Sequence, residues 1–320
     1  MNKKIIIISG DPNSINSEII YKCWKNLKSS VKKNIFLISN YNLIKQQFKI
    51  LRYPIKLIKI KKIDDKINTK DLKILDVELK FNKPFNVSVK SAKLFIKKSL
   101  NLGHYEALKK DVAGIINCPI NKELLQKKNQ GVTEFLSSKC NIKDGSEVML
   151  IKSKKTSVAP ITTHLDLKNV PKKISSKLII KKIITINSWF KKIYKKKPRL
   201  AILGLNPHNA EMKKDSEEIK KIIPAIKKLK KIGIKVTGPL VADTVFMNEY
   251  KNFDVIVGMY HDQVLPSFKS IFKFDAINIT LGIKYLRLSP DHGVAKNIMK
   301  KKIANYMSLL KCIEFLQKFK

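Results

Sequence analysis

Glycine is too sparse and too scattered in this chain to build a glycine-rich nucleotide loop. Eleven glycines occur in 320 residues and no two are separated by a single residue. The GxGxxG turn of the Rossmann fold is therefore absent. Gly233 and Gly238 have Walker A spacing, but Pro239 and Leu240 stand where that loop needs Lys and Ser or Thr. Neither a GxSxG elbow nor an HExxH helix is present. Cysteine is also scarce: Cys23, Cys118, Cys140 and Cys312 show no CxxC spacing. That argues against a disulfide framework or a cysteine metal site and points to a reducing cytoplasm. Apolar runs never approach bilayer-spanning length, so no membrane partner is expected. The opening MNKKIIIISGDP is too short in its apolar part for a signal peptide; it stops at Gly10-Asp11-Pro12 and reads as a first strand. Acidic residues are few, 25 against 66 Lys+Arg, for a net charge of +41. Arginine is nearly missing too, at Arg52, Arg199 and Arg287 only. Nucleic-acid readers lean on arginine for bidentate contacts. The lysines here are spread over the whole length, as an AT-rich coding bias would leave them. No specific nucleic-acid partner is expected, although the field draws in phosphates and carboxylates.

The chain is long enough for two domains with real cores, and its hydrophobic content of 44% is ordinary. Short β-branched runs predict strands at 4–9, 34–39, 55–60, 112–117, 157–162, 199–203, 254–258 and 276–280. Helical patterns fall between them, at 17–27, 92–100, 121–128, 174–192, 213–231, 294–302 and 305–318. Apolar runs of four to seven residues separated by amphipathic helices predict an α/β fold with a mostly parallel, doubly covered sheet. The Lys-rich stretch 61–80 reads as a solvated excursion.

Three histidines each follow a strand-like segment, in what reads as a short polar loop: His164 in PITTHLD, His208 in LGLNPHNAE and His261 in VGMYHDQVLP. Loops at the carboxyl ends of neighbouring strands converge in open α/β sheets. Three neutral imidazoles gathered there would hold a divalent cation with open coordination positions, the catalytic pattern. Asp166 and Asp262 are near enough in sequence to orient His164 and His261 as outer partners. Asp243, Asp262 and Lys269 are the candidates for a general base, and Asp243 has the alternative role of a helix N-cap. Arg287 is a candidate for planar, bidentate binding of phosphate or carboxylate, a task lysine does badly. His104 reads as a surface histidine, and His292 as a helix-start turn or a cleft wall.

These pieces, with GDP near the start, CPINK at 118–122, GVTEF at 131–135, TTHL, GLNPH, ADT, MYHDQ, NITLG and PDHG, resemble the 4-hydroxythreonine-4-phosphate dehydrogenases of pyridoxal phosphate (vitamin B6) biosynthesis over almost the full length. The resemblance implies two α/β/α domains with a cleft between them, as in isocitrate and isopropylmalate dehydrogenases, which bind NAD without a Rossmann fingerprint. On this reading residues 1–128 with 288–320 form one domain and 129–287 the other. The resemblance also implies NAD or NADP as cofactor and one divalent metal (Zn, Mg, Mn or Co) on His164, His208 and His261. It places substrate at Thr133, Lys269, Asn278 and Arg287, in a homodimer whose active site draws on both subunits. Two departures stand out: Val132 replaces the family's substrate-contacting histidine, and GDPNSINSE replaces GDPAGIGPE. The expected reaction is oxidation and decarboxylation of 4-phosphooxy-L-threonine. A sister activity on erythronate or threonate 4-phosphate is the alternative, with a basic nucleic-acid-associated protein behind it.

Overall fold

The first strand, KIIII at Lys4–Ile8, is buried along its whole length, as expected of a strand covered on both sheet faces. The computed structural model describes residues 3–63, 67, 69–125, 131–142, 144–247, 249–273 and 275–319. The chain divides into two units, Met1–Val132 with Lys284–Lys320, and Thr133–Ile283.

The first unit runs β1 (Lys4–Ile8), α1 (Asn16–Asn26), α2 (Ser29–Lys32), β2 (Ile35–Ser39), α3 (Tyr41–Leu51), β3 (Leu57–Ile60), β4 (Leu72–Asp76), α4 (Val89–Ala107) and β5 (Val112–Asn117). The second runs α5 (Val132–Lys139), β6 (Val148–Lys152), β7 (Ser157–Thr162), α6 (Val170–Lys173), α7 (Ser176–Tyr194), β8 (Leu200–Leu203), α8 (Ile223–Lys231), β9 (Val236–Leu240), α9 (Ala242–Val245), β10 (Val255–Tyr260), α10 (His261–Phe272) and β11 (Ile277–Leu281). The chain then returns to the first unit for β12 (Arg287–Pro290) and α11 (Met307–Leu316).

In the first unit the strands lie in the order β3-β4-β2-β1-β5-β12, with parallel pairings throughout. Helix α4 packs on β1, β2 and β5, and α11 on β5 and β12. Connections turn opposite ways from β1, to β2 on one side and toward β5 on the other, so the loops after β1 and β5 flank a topological switch point. Gly10 in the first of these loops has φ +74, and a Cβ there would sit 2.5 Å from the Pro119 carbonyl oxygen. Only glycine fits such a close approach at positive φ. The divergent residues that follow close the loop by side-chain hydrogen bonds. Asn13 donates to the Val87 carbonyl and accepts from the Val87 amide, both at 2.8 Å, and Asn16 Nδ2 donates to the Pro119 carbonyl at 2.8 Å.

In the second unit the order is β11-β6-β7-β10-β8-β9. Strands β7, β10, β8 and β9 are mutually parallel, while β6 runs antiparallel to both β7 and β11. Its core includes Ile151, Val158, Leu203, Ile256, Val264 and Phe268.

Several sequence expectations are corrected. The stretch 61–80 is not all excursion: Leu72–Asp76 is a strand, paired to β2 on one side and β3 on the other. The expected helix at 294–302 is only a 3₁₀ turn, Lys296–Ile298. Left-handed backbone at Ala295, Lys300 and Lys302 interrupts any longer helix there. The helix expected from 213 begins at Glu218 with a π-helical turn, Glu218–Ile222, that leads into α8. Of 121–128, Lys122–Leu124 forms a 3₁₀ turn and 126–128 lie outside the described residues. His104 is half-buried, with Nδ1 2.9 Å from the Tyr285 hydroxyl, and is not a free surface histidine.

Candidate active site

Strands β7 and β10 are parallel neighbours in register, Tyr260 opposite Thr162. Parallel neighbours lie about 4.8 Å apart, so residues just past their carboxyl ends meet. His164 follows two residues after β7, with left-handed backbone (φ 45). His261 comes directly after β10 and is the first residue of α10. It therefore opens a helix instead of lying in the expected polar loop. The two rings stand 6.2 Å apart between centroids, tilted by 36°. Strand β8 pairs with the other side of β10, Ile202 opposite Val257. His208 follows β8 in an exposed turn whose backbone is left-handed from His208 to Met212. All three histidines thus follow the carboxyl ends of three consecutive parallel strands. Among the described residues no group of three His, Cys, Asp or Glu side chains is close enough to hold a metal ion.

Each of the paired imidazoles has a carboxylate at Nδ1. Asp262 Oδ1 lies 2.5 Å from His261 Nδ1, with 77% of the Asp262 side chain exposed. The partner of His164 is Glu134, in the first turn of α5, with Oε1 3.7 Å from Nδ1. Asp166, the partner suggested by sequence, sits exposed at the start of a 3₁₀ turn. Thr163 Oγ1 also donates to Glu134 Oε1, at 3.2 Å. Burial alone would raise the Glu134 carboxyl; the His164 imidazole, the helix backbone and the Thr163 hydroxyl outweigh it and hold it down at about 2.

Two residues missed in the sequence fix the histidine-bearing loops. Gln263 Oε1 accepts the Met259 amide at 2.7 Å and Gln263 Nε2 donates to the Gly204 carbonyl at 2.7 Å, tying the start of α10 to the end of β8. Glu218 Oε1 accepts the amides of Leu205 and Asn206 at 2.7 and 2.8 Å, clamping the turn that leads to His208. Burial pushes the Glu218 carboxyl up, but these donors and the Asn206 side chain hold it below the usual carboxylate range.

The remaining candidates scatter more widely. Thr133 is buried, its hydroxyl 3.1 Å from that of Thr280 on β11. Asn278, also on β11, carries a buried Oδ1 that has no hydrogen-bond partner. Lys269 is exposed on α10. Asp243 is exposed in the first turn of α9; the N-cap is Val241, so Asp243 does not cap the helix. In the first unit, Arg287 is buried on β12 and donates from Nε to Asn117 Oδ1 at 2.6 Å. His292 is half-buried, with Nδ1 3.0 Å from the Gly293 carbonyl oxygen.

Of the donor set for a divalent cation, the described residues bring together two imidazoles, not three. The His164 and His261 rings lie 6.2 Å apart between centroids in the second unit, and with the carboxylates at their Nδ1 atoms the Nε2 nitrogens are the ones left as candidate ligands. Imidazole nitrogen is a ligand type that suits zinc and other first-row transition metals. His164 and His261 would hold such an ion.

A largely parallel sheet presenting histidines, carboxylates and hydroxyls at strand carboxyl ends is the layout of an α/β enzyme. A family model described as pyridoxal phosphate biosynthetic protein PdxA matches residues 31–316. A 4-hydroxythreonine-4-phosphate dehydrogenase from Aquifex aeolicus is 35% identical, over 99% of this chain and 98% of its own. A protein from Oceanobacillus iheyensis, named as a candidate D-threonate 4-phosphate dehydrogenase, is 31% identical over 98% of this chain and 97% of its own. The crystal structure of 4-hydroxythreonine-4-phosphate dehydrogenase from Klebsiella pneumoniae superposes with a TM-score of 0.84 at 27% identity, covering 99% of each chain. Isocitrate dehydrogenase from Methylococcus capsulatus shares the fold alone, with TM-score 0.51 at 10% identity over 99% of this chain and 85% of that one. The chain belongs to the PdxA family and is a dehydrogenase of that type, an oxidoreductase.

Proposed function

We propose that the chain oxidises 4-phosphooxy-L-threonine at its 3-hydroxyl, passing a hydride to NAD or NADP. The product, 2-amino-3-oxo-4-phosphooxybutanoate, then loses carbon dioxide to leave 3-amino-2-oxopropyl phosphate, a step of pyridoxal phosphate synthesis. The observation that carries this reading is the meeting of His164 and His261 at neighbouring strand ends, in a chain of this family. His208 is the third metal ligand that the resemblance implies. Bound there, a divalent cation (Zn, Mg, Mn or Co) supplies Lewis acidity, which lowers the pKa of an alcohol and stabilises enolate charge.

The chain's own residues bind and orient. Lys269 and Arg287 offer cationic donors suited to phosphate and carboxylate, and Arg287 adds a planar fork. Thr133 and Asn278 offer a hydroxyl and an amide for the polar substituents. Anchoring atoms remote from the reacting carbon aligns that carbon for transfer. Asp262 and Lys269 remain the candidate bases in α10, with Asp243 in α9. Because Asp262 already accepts from His261, it serves that imidazole first. The enzyme works as a cytoplasmic homodimer whose active site draws on both subunits. Among the described residues no helix is long and apolar enough to cross a membrane.

A second reading is favoured by one residue. By the resemblance Val132 stands at the position of the family's substrate-contacting histidine, and a relative 31% identical bears the threonate phosphate name. A panel of 4-phosphooxy-L-threonine, D-threonate 4-phosphate and D-erythronate 4-phosphate at matched concentrations, followed by NADH or NADPH formation, tests both. The account predicts the highest kcat/KM for the amino acid. A preference of tenfold or more for either sugar-acid phosphate would move the chain to the sister activity.

A further inference from the structure

We propose that Glu134 is a positioning residue for the His164 imidazole: its carboxylate holds the ring's Nδ1–H and leaves Nε2 as the open lone pair. The inference rests on the reading of His164 as a metal ligand.

Four observations carry it. Glu134 Oε1 lies 3.7 Å from His164 Nδ1, and that nitrogen is buried with no hydrogen bond elsewhere. A small tightening completes the contact, as happens when a loosely aligned site closes on its ligand. The carboxylate is itself anchored, since the Thr163 hydroxyl donates to the same oxygen at 3.2 Å. The pair is sheltered, with side chains 21% and 25% exposed, whereas His261 and Asp262 are 40% and 77% exposed. Solvent therefore weakens the second pair far more than the first. Finally, His164 holds a left-handed backbone, φ 45, a conformation that residues with a Cβ rarely adopt.

An imidazole that donates from Nδ1 to a carboxylate is fixed in tautomer and made more basic at Nε2; loss of such a partner costs roughly 10–100-fold in metal affinity. Glu134 also borders a cavity of about 510 Å³ lined by Ser137, Lys173 and Lys181. A shorter side chain there admits water instead of leaving a dry void, so Glu134→Ala is expected to fold.

The test uses metal-free protein labelled with ¹⁵N-histidine and long-range ¹H–¹⁵N spectra of His164, together with calorimetric titration of Mn²⁺. The expected wild-type signal is the Nδ1–H tautomer. Glu134→Ala shifts it to Nε2–H and weakens Mn²⁺ binding 10–100-fold. Glu134→Gln, which keeps an acceptor oxygen, retains the Nδ1–H tautomer and loses less affinity. An Nε2–H tautomer in the wild type, or an alanine variant matching it in both readouts, overturns the proposal. If Mn²⁺ fails to bind while the tautomer still depends on Glu134, the positioning stands and the metal reading falls. If Mn²⁺ binds and the tautomer ignores Glu134, the positioning alone falls.

Discussion

Glu218 is completely buried yet ionised, because backbone amides of Leu205 and Asn206 converge on one of its oxygens. Removing it strands those donors. Glu218→Ala is expected to cost about 2–4 kcal/mol in chemical denaturation, given about 1–3 kcal/mol for each buried donor left unpaired. The pH dependence has a definite sign. With a folded-state pKa below the ordinary 4.5, this carboxyl contributes stability that is present above pH 4.5 and lost as pH falls through the lowered value. The wild type should therefore lose more stability than Glu218→Ala on acidification below pH 4.5. Parallel acid curves would refute the clamp. Val132 is the other residue with a sharp consequence. Val132→His, restoring the side chain that the resemblance implies, should lower KM for the phosphorylated substrate several-fold with kcat little changed. Unchanged or higher KM in steady-state assays would show that the site has adapted to valine.

Among the elements, β4 separates what sequence pattern reveals from what it hides. The strand LKILD sits in a lysine-rich stretch, and Lys73, its second residue, breaks the apolar run. Nothing in the pattern shows that Lys73 is fully buried, with its ammonium donating to the Lys33 carbonyl and lying 4.4 Å from the Phe36 ring centroid. Burial lowers its pKa to about 8 from 10.5. Between those values the unfolded chain binds the proton and the folded chain does not, so wild-type stability rises with pH across that window. Lys73→Met should abolish this rise and gain on the order of 1 kcal/mol at neutral pH, since about 3 kcal/mol of ionisation penalty is offset by the lost hydrogen bond and ring contact. Denaturation curves from pH 7 to 10 decide it: a variant with the wild-type slope would exclude Lys73 as the cause. Strands such as β1, β5 and β7 were legible because they are continuous apolar runs. Strand β9, VTGPL, was hidden by Gly238 and Pro239, which an edge strand tolerates and pattern reading treats as a breaker. The histidines were legible because each follows a strand. Glu134 is not legible as a partner of His164 in the sequence, because thirty residues separate them and only the placement of α5 beside the end of β7 unites them.

Across the whole molecule, a net charge of +41 sets a long-range field without naming a partner. Anionic substrates should be steered by it. Raising ionic strength from 20 to about 150 mM shortens the Debye length toward about 8 Å. The account expects kcat/KM for the phosphorylated substrate to fall several-fold over that range, while kcat stays nearly constant. A flat salt profile would reduce the lysine excess to a compositional bias with no catalytic consequence. The proposed site depends on three histidines that follow the carboxyl ends of β7, β10 and β8, two in turns and His261 at the start of α10. The measurement that bears most directly on this is reduced-nicotinamide formation from 4-phosphooxy-L-threonine by chelator-stripped protein, titrated back with Mn²⁺ or Zn²⁺. The account predicts negligible turnover when stripped and recovery on adding the cation, with recovery abolished in His164→Ala and His261→Ala. Undiminished turnover in the stripped wild type would contradict it.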